Sequence, residues 1–276
     1  MRISEEGLRR RIGSDKLIGC YTQKDNGYTC FRDIRGEEGD MVKNPHTSQY
    51  DLEIEYNDSN LEVGTFYSFS WHLMDEDSML IEIVGQPEKV KNVEFLTKRF
   101  NAKLPLSGSN LEEANNFQKT VFNEVTGAQH TYIYELLQNA NDYPFNNEQV
   151  TVKFILTEHY LLFMHSGACF NLRNIVGISS INQGEKKANT KTIGYKGIGF
   201  KTVFVNNEYV FLKSGDWSLR FDKKYSEEQF YGDCPWALMP IPTDPSELDE
   251  EVRNIITKYN MRVQFALKHK SDASKN

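Results

Sequence analysis

The chain has 276 residues and a formal net charge of −7, with 39% hydrophobic and 26% charged residues. This length is enough to bury a core in one large or two ordinary domains without a stabilising disulfide or metal. No segment approaches the ~20 apolar residues of a membrane span, and the first residues lack the apolar region of a secretory signal. The four cysteines lack the paired spacing of zinc sites. A cytoplasmic protein with reduced thiols and no membrane association is therefore expected.

The charge is unevenly distributed along the chain. Residues 15–86 contain 15 Asp and Glu against 5 Lys and Arg, so this segment carries −10 and the remainder carries +3 of the total of −7. Because affinity for nucleic acid depends mainly on positive charge facing the phosphates, we do not expect the acidic segment to bind nucleic acid.

The acidic segment is predicted to be rich in β-strands. Five short runs of β-branched and aromatic residues are separated by turn-forming clusters. These runs cover residues 17–21, 28–32, 50–56, 65–71 and 79–84. The spacing predicts a small barrel domain over residues 1–86 that resembles an OB or cold-shock barrel. Tyr28 and Phe31 are candidates for stacking on bases there, with an ordinary core or surface position as the alternative.

Residues 87–108 are predicted to connect this domain to a second one, in which helices alternate with hairpins. Helices are expected at 109–125, 130–141, 172–179, 197–205 and 244–259. Strands are expected at 150–156, 160–165, 209–213, 217–221 and 262–267. This alternation predicts a layered α+β domain over residues 109–276.

The helix expected at 130–141 places three polar residues on one face. Glu135, Asn139 and Asp142 are spaced i, i+4 and i+7. Carboxylate and amide oxygens in a row suit a divalent cation and a polarised water molecule. The alternative is the solvated face of an ordinary amphipathic helix.

A glycine-rich segment, GYKGIGFKT, follows later in the chain. Gly194, Gly197 and Gly199 leave backbone N–H groups open to an anion, and Lys201 adds a cation. The spacing fits neither a Walker A loop nor a Rossmann fingerprint. A structural glycine turn is the alternative.

A third motif, HSGACF, lies at the end of the strand expected at 160–165. His165 and Gly167 at this edge could form the floor of a pocket. An ordinary, hydrogen-bonded histidine is the alternative for this motif alone.

Together and in this order, the three motifs resemble those of the Bergerat-fold, or GHKL, ATPases. This group contains gyrase, the ninety-kilodalton heat-shock chaperone, histidine kinases and MutL. ELLQNAND is similar to its N box, HSGACF to its D-x-G-x-G box and GYKGIGFKTVF to its later glycine box. The nearest resemblance is to the sacsin, MORC and No Vein-like proteins, and it covers residues 109–267. It implies a Bergerat-type α/β sandwich for the second domain.

The resemblance also implies roles for individual residues. Glu135 would be the general base for the attacking water, and Asn139 would coordinate Mg²⁺. Asp142 would line the nucleotide pocket, and Gly167 would let adenine approach the floor. Residues 182–192 would form a lid over ATP. Gly194, Gly197 and Gly199 would cradle the phosphates, with Lys201 near them, and Phe200 would also belong to the nucleotide-binding residues.

The chain departs from the family pattern at the base-binding positions. The aspartate that reads adenine is replaced by His165, and the second glycine of that box by Cys169. A neutral imidazole at position 165 could still accept a hydrogen bond from the adenine amine. A threonine that helps to hold adenine should fall at 261–263, where none occurs, and Thr257 is too early in the chain.

The resemblance implies an ATP-binding module that hydrolyses ATP with Mg²⁺, as the N-terminal part of a larger ATP-switched protein. The alternative is a nucleotide sensor without hydrolysis, in which closure of the lid switches a partner-binding surface. Family members usually need a cation from a following domain or a dimer partner, so a homodimer or a longer chain is expected. A histidine kinase using His130 is disfavoured, because a phosphoacceptor histidine should lie on a separate helical hairpin.

Overall fold

A computed structural model describes residues 4–75, 77, 79–104, 106, 108–125, 131–180 and 199–268. The chain divides into two compact units, Met1–Arg99 and Phe100–Asn276. Each unit combines helices with an antiparallel sheet, so the α+β class predicted from the sequence is confirmed. In the described part of the chain, no helix has both the length and the apolar character needed to cross a membrane.

The first unit is built on a five-stranded antiparallel sheet in the order β3-β2-β1-β4-β5. Helix α1 (Glu5–Ile12) precedes the sheet, and α2 (Asn92–Asn101) begins after it. The outermost strands, β3 and β5, approach each other, so the sheet curls into a half-barrel. The strands are β1 (Lys16–Gln23), β2 (Thr29–Gly36), β3 (Ile54–Glu55), β4 (Phe66–Asp75) and β5 (Leu80–Lys89).

Aromatic residues fill the concave side of this sheet. Phe31 on β2 is fully buried, with its ring centroid 5.2 Å from that of Tyr21 and 4.8 Å from that of Phe69. The interpretation of Phe31 as a base-stacking residue is therefore wrong, because its position in the strand turns its ring towards the core. Tyr28, in the turn before β2, is 67% exposed.

The region 87–108, predicted to be a connector, holds the end of β5 and helix α2. Phe95 and Leu96 of α2 are buried. Arg99 is also buried; it donates to the carbonyl of Glu38 and lies 3.7 Å from the Asp40 carboxylate. Burial lowers the pKa of the Arg99 guanidinium, and the Asp40 charge opposes that effect. Helix α2 is thus part of a packed structure rather than a free linker.

The second unit contains a six-stranded antiparallel sheet in the order β10-β9-β8-β11-β7-β6. Its strands are β6 (Val152–Leu156), β7 (Tyr160–His165), β8 (Tyr209–Ser214), β9 (Trp217–Asp222), β10 (Ile241–Pro242) and β11 (Val263–Lys268). Its helices are α3 (Gly108–Val125), α4 (Thr131–Asp142), α5 (Leu172–Ile178), α6 (Val203–Asn206), α7 (Lys223–Phe230) and α8 (Glu250–Tyr259). A 3₁₀ turn, Gly199–Thr202, leads into α6.

Strands β7 and β11 lie near the middle of this sheet and carry a core on each face. Leu162 and Met164 of β7 pack in one cluster with Val252 and Ile256 of α8. The intervening Phe163 faces the opposite side, where its ring lies 6.0 Å from that of Phe265. This alternation follows from the two-residue period of a strand. Because both faces are covered, the sequence of β7 is a nearly continuous run of apolar residues. The strand has the bounds predicted from the sequence.

The helix expected at 244–259 is interrupted. A 3₁₀ turn at Pro245–Glu247 is capped by the Asp244 side chain, and α8 begins only at Glu250. Helix α7 and the two-residue strand β10 were not predicted. Helix α7 has only Ser226 buried, so its sequence carries almost no apolar period to detect.

The carboxylate of Glu5 in α1 gives the first unit a defined response to acid. It accepts hydrogen bonds from the Leu73 backbone N–H at 2.9 Å and from Nε of Arg9 at 3.0 Å. The Leu73 N–H, helped by Arg9 and His72, lowers the pKa of Glu5 from 4.5 to about 2. Glu5 therefore stabilises the fold fully above pH 4.5, and this contribution is lost as the pH falls towards 2.

We predict that Glu5→Gln lowers the free energy of unfolding at pH 7 by about 1 kcal/mol, since a charged hydrogen bond and an ion pair are weakened. The difference from the wild type should shrink between pH 4.5 and pH 2. Urea unfolding across this pH range measures it. Glu6→Gln, in the same helix but exposed and paired only with Arg10, should show no comparable pH-dependent difference.

Candidate functional site

The polar face predicted on α4 is present. Leu136 and Ala140 are buried on its inner side, whereas Glu135, Asn139 and Asp142 are half-buried. The i, i+4 and i+7 spacing keeps these three side chains along one stripe of the helix. Within the described ranges, none of the three side chains forms a hydrogen bond or ion pair. The stripe therefore offers two carboxylates and one amide to a ligand.

The loop after β7 packs closely on the C-terminal end of α4. The backbone N–H of Ala168 donates to the carbonyl of Tyr143 at 2.8 Å. A Cβ atom added to Gly167 would lie 2.8 Å from the Tyr143 carbonyl oxygen and 3.3 Å from that of Ala140. Backbone atoms cannot yield as a flexible side chain does, so position 167 needs glycine to let the loop and helix touch.

His165, the last residue of β7, is 4% exposed. Its Nδ1 atom accepts a hydrogen bond from the Gly167 N–H at 3.2 Å. Burial lowers the pKa of His165 from 6.5 to about 4, so the ring is neutral at pH 7. A neutral imidazole that accepts at Nδ1 carries its proton on Nε2.

This tautomer bears on the expectation that His165 accepts a hydrogen bond from an adenine amine. The ring cannot accept a hydrogen bond from an adenine amine at Nε2, because that nitrogen is itself a donor. The acceptor, Nδ1, is already used by the Gly167 backbone.

The described end of the glycine box forms the 3₁₀ turn Gly199–Thr202, which lies against α4. Phe200 is 9% exposed and packs its ring 5.7 Å from that of Phe265 on the sheet. Lys201 is 3% exposed, and its Nζ donates to the carbonyl of Ile178 at 3.2 Å. Phe200 is thus a core residue, and the Lys201 ammonium lies at the C-terminal end of α5.

The structure therefore brings together residues of all three motifs. Helix α4 touches both the Gly167 loop and the Gly199–Thr202 turn. Gly194, Gly197 and the predicted lid at 182–192 lie outside the described residues, as does His130.

The strand register also shows where the residues expected to contact the nucleobase lie. Val263 of β11 pairs directly with His165, and Thr257 lies within α8. The absent late threonine is therefore not replaced by Thr257. Position 262 instead carries an exposed arginine whose guanidinium lies 3.4 Å from the ring centroid of Phe145.

Arg262 and Phe145 were not singled out from the sequence. The Arg262 carbonyl accepts from the Gly215 N–H at 3.3 Å and from the Cys169 thiol at 3.7 Å. These contacts join the start of β11 to the loop after β7. Residues so far apart in the chain show no local pattern, so a single sequence carries no signal that would pair them.

Part of the chain is similar to a plant protein. No family model matches the chain. The chain is 36% identical over 111 residues to Protein NO VEIN of Arabidopsis thaliana. This match covers 40% of the chain and 4% of the relative. It indicates a NO VEIN-like relationship for part of the chain, and the chain corresponds to a small fraction of that much longer protein.

We predict that Gly167→Ala destabilises the second unit by about 1–3 kcal/mol, the usual cost of forcing a methyl group into packed backbone. Thermal or urea unfolding followed by circular dichroism measures it. Gly36→Ala is the matched control, because its new Cβ would meet its nearest atom at an ordinary 3.6 Å. Equal stability of the two variants would contradict the packing constraint at Gly167.

Proposed function

We propose that the second unit binds a nucleoside triphosphate with Mg²⁺ in a Bergerat-type pocket and hydrolyses it. The observation that carries this proposal is the meeting of the three motifs at α4. Helix α4, which carries the polar stripe, lies against the Gly199–Thr202 turn, and its C-terminal end lies against the Gly167 loop. The similarity to Protein NO VEIN agrees with the sacsin, MORC and No Vein-like resemblance of these motifs.

The residues of the stripe fit Mg²⁺ held mainly by the nucleotide. Among the described residues there is no group of three or more His, Cys, Asp or Glu that could hold a metal. Mg²⁺ commonly takes only one or two protein oxygens, and phosphates and water supply the rest. The Asn139 amide oxygen is the proposed protein ligand, and the metal would neutralise phosphate charge during transfer.

Glu135, one turn before Asn139, is the proposed general base. It would orient a water molecule and take one of its protons as the water oxygen forms a bond to the γ-phosphorus. The bond between the γ-phosphorus and the β,γ-bridging oxygen breaks, and the nucleoside diphosphate leaves with the bonding electrons. A half-buried carboxylate without a competing partner in the described structure suits this role.

Lys201 is proposed to support the pocket rather than to contact the phosphates. Its ammonium donates to the Ile178 carbonyl at the C-terminal end of α5. A positive charge there interacts favourably with the negative end of the helix dipole. This contact anchors the Gly199–Thr202 turn to α5. A cation from elsewhere would then be needed for fast hydrolysis.

That arrangement favours a second candidate function, a nucleotide sensor that hydrolyses slowly or not at all. In this case the bound triphosphate would alter the binding of a partner, either a second copy or another domain of a longer chain. The placement of the Lys201 ammonium on Ile178 is the specific observation in its favour.

We predict that Glu135→Gln lowers kcat for nucleotide hydrolysis by about 10²-fold or more, the usual contribution of a general base. Nucleotide affinity should stay within about threefold, because the amide keeps the size of the carboxylate. Phosphate release and calorimetric titration on the same preparations measure the two quantities. Glu148→Gln, an exposed glutamate beyond α4, is the control and should match the wild type.

The outcome also separates the two candidate functions. Unchanged hydrolysis in Glu135→Gln would overturn the assignment of the base. Tight binding without measurable hydrolysis in the wild type would favour the sensor.

We predict that removal of Mg²⁺ with EDTA weakens binding of the triphosphate by about tenfold or more, and that Asn139→Ala abolishes most of this difference. The reason is that the amide oxygen is the proposed protein ligand of the metal. Calorimetric titrations with and without Mg²⁺ measure it. Asn141→Ala, on an exposed position of the same helix, should retain the full dependence on Mg²⁺.

A further inference from the structure

The part of the proposed pocket that would hold the nucleobase differs chemically from that of the GHKL ATPases. Those proteins have a carboxylate at the base-reading position, which accepts a hydrogen bond from the adenine amine. The corresponding residue here, His165, presents a hydrogen-bond donor, and its role towards a base rests on the proposed function.

The orientation of His165 is fixed by the backbone around it. Its Nδ1 atom accepts from the Gly167 N–H. Gly167 is itself held in place, because the adjacent Ala168 N–H donates to Tyr143 at the end of α4. The tautomer with hydrogen on Nε2 is therefore built into the contact between β7 and α4.

The neighbours of His165 do not satisfy its second nitrogen. In the sheet, His165 pairs with Val152 on one side and Val263 on the other. Its ring lies 5.7 Å from that of Phe163. Valine and phenylalanine side chains offer no hydrogen-bond acceptor, and within the described structure nothing accepts from Nε2. A ligand acceptor at this point would complete the hydrogen bonding of a nearly buried ring.

The protonation state supports the same conclusion. Burial lowers the pKa of His165 to about 4, so at pH 7 the ring is neutral and the single proton on Nε2 decides what it can bind. The other ionisable side chain proposed for the pocket near this end is Asp142, on the last turn of α4.

We propose that this pocket prefers a 6-oxopurine triphosphate, such as the inosine or guanosine nucleotide, to ATP. The carbonyl oxygen at position 6 would accept from Nε2–H of His165. An amine at the same position would set donor against donor and exclude water from the N–H without giving it an acceptor. A mismatch of this kind costs at least about tenfold in affinity.

Calorimetric titration of the full chain with ITP, GTP and ATP, each with Mg²⁺ at pH 7.5, tests the proposal. ITP is the decisive probe, because it has the position-6 oxygen without the additional amine of GTP. We expect ITP to bind at least tenfold more tightly than ATP. Equal affinities, or tighter binding of ATP, would overturn the preference while leaving the proposed nucleotide pocket intact.

Substitution of His165 tests the atom responsible. His165→Asp supplies an acceptor and should reverse the preference in favour of ATP. His165→Asn can turn its amide to present either a donor or an acceptor, so it should remove most of the discrimination. His159→Asn, an exposed histidine in the turn before β7, is the control and should keep the wild-type ratio.

The same titrations distinguish a failure of the base preference from a failure of the proposed function. Absence of binding by all three nucleotides would overturn the proposed function and, with it, the base preference. If the His165 variants fail to fold, the ratio of ITP to ATP affinity in the wild type still decides the question.

Discussion

The contact between the end of α4 and the loop after β7 determines the geometry of the candidate site. A hydrogen bond from the Ala168 N–H to the carbonyl of Tyr143, the residue after α4, joins this loop to the end of the helix. Gly167 allows the approach, since any side chain would meet two backbone carbonyls. Because α4 also lies against the Gly199–Thr202 turn, the positions of Glu135, Asn139 and that turn are all set relative to the end of β7.

The same contact decides the chemistry of His165. The Gly167 N–H that reaches Nδ1 belongs to the loop held by α4, so the packing of helix on sheet fixes which nitrogen carries the proton. A change that loosens this loop would therefore act on stability and on the proposed base preference together.

The sequence predicted most of the second unit because its strands and helices carry clear local signals. The run Tyr160–His165, covered on both faces, has the predicted bounds. The i, i+4, i+7 stripe of α4 was likewise recognisable from spacing alone. In contrast, α7 buries only Ser226 and shows almost no periodicity. The roles of Phe200 and Lys201 depend on distant partners, Phe265 and Ile178, and a tautomer depends on a hydrogen bond that no sequence pattern reports.

The acidity of the first unit is partly explained by the cations within it. Arg35, buried to 3% exposure, pairs with Asp33 at 2.7 Å, and buried Arg99 lies beside Asp40. Arg32 pairs with Glu53 at 2.7 Å. A buried guanidinium is costly unless a carboxylate or carbonyl compensates it, so Asp33 and Asp40 stabilise the fold by compensating Arg35 and Arg99. The exposed Arg32–Glu53 pair contributes little.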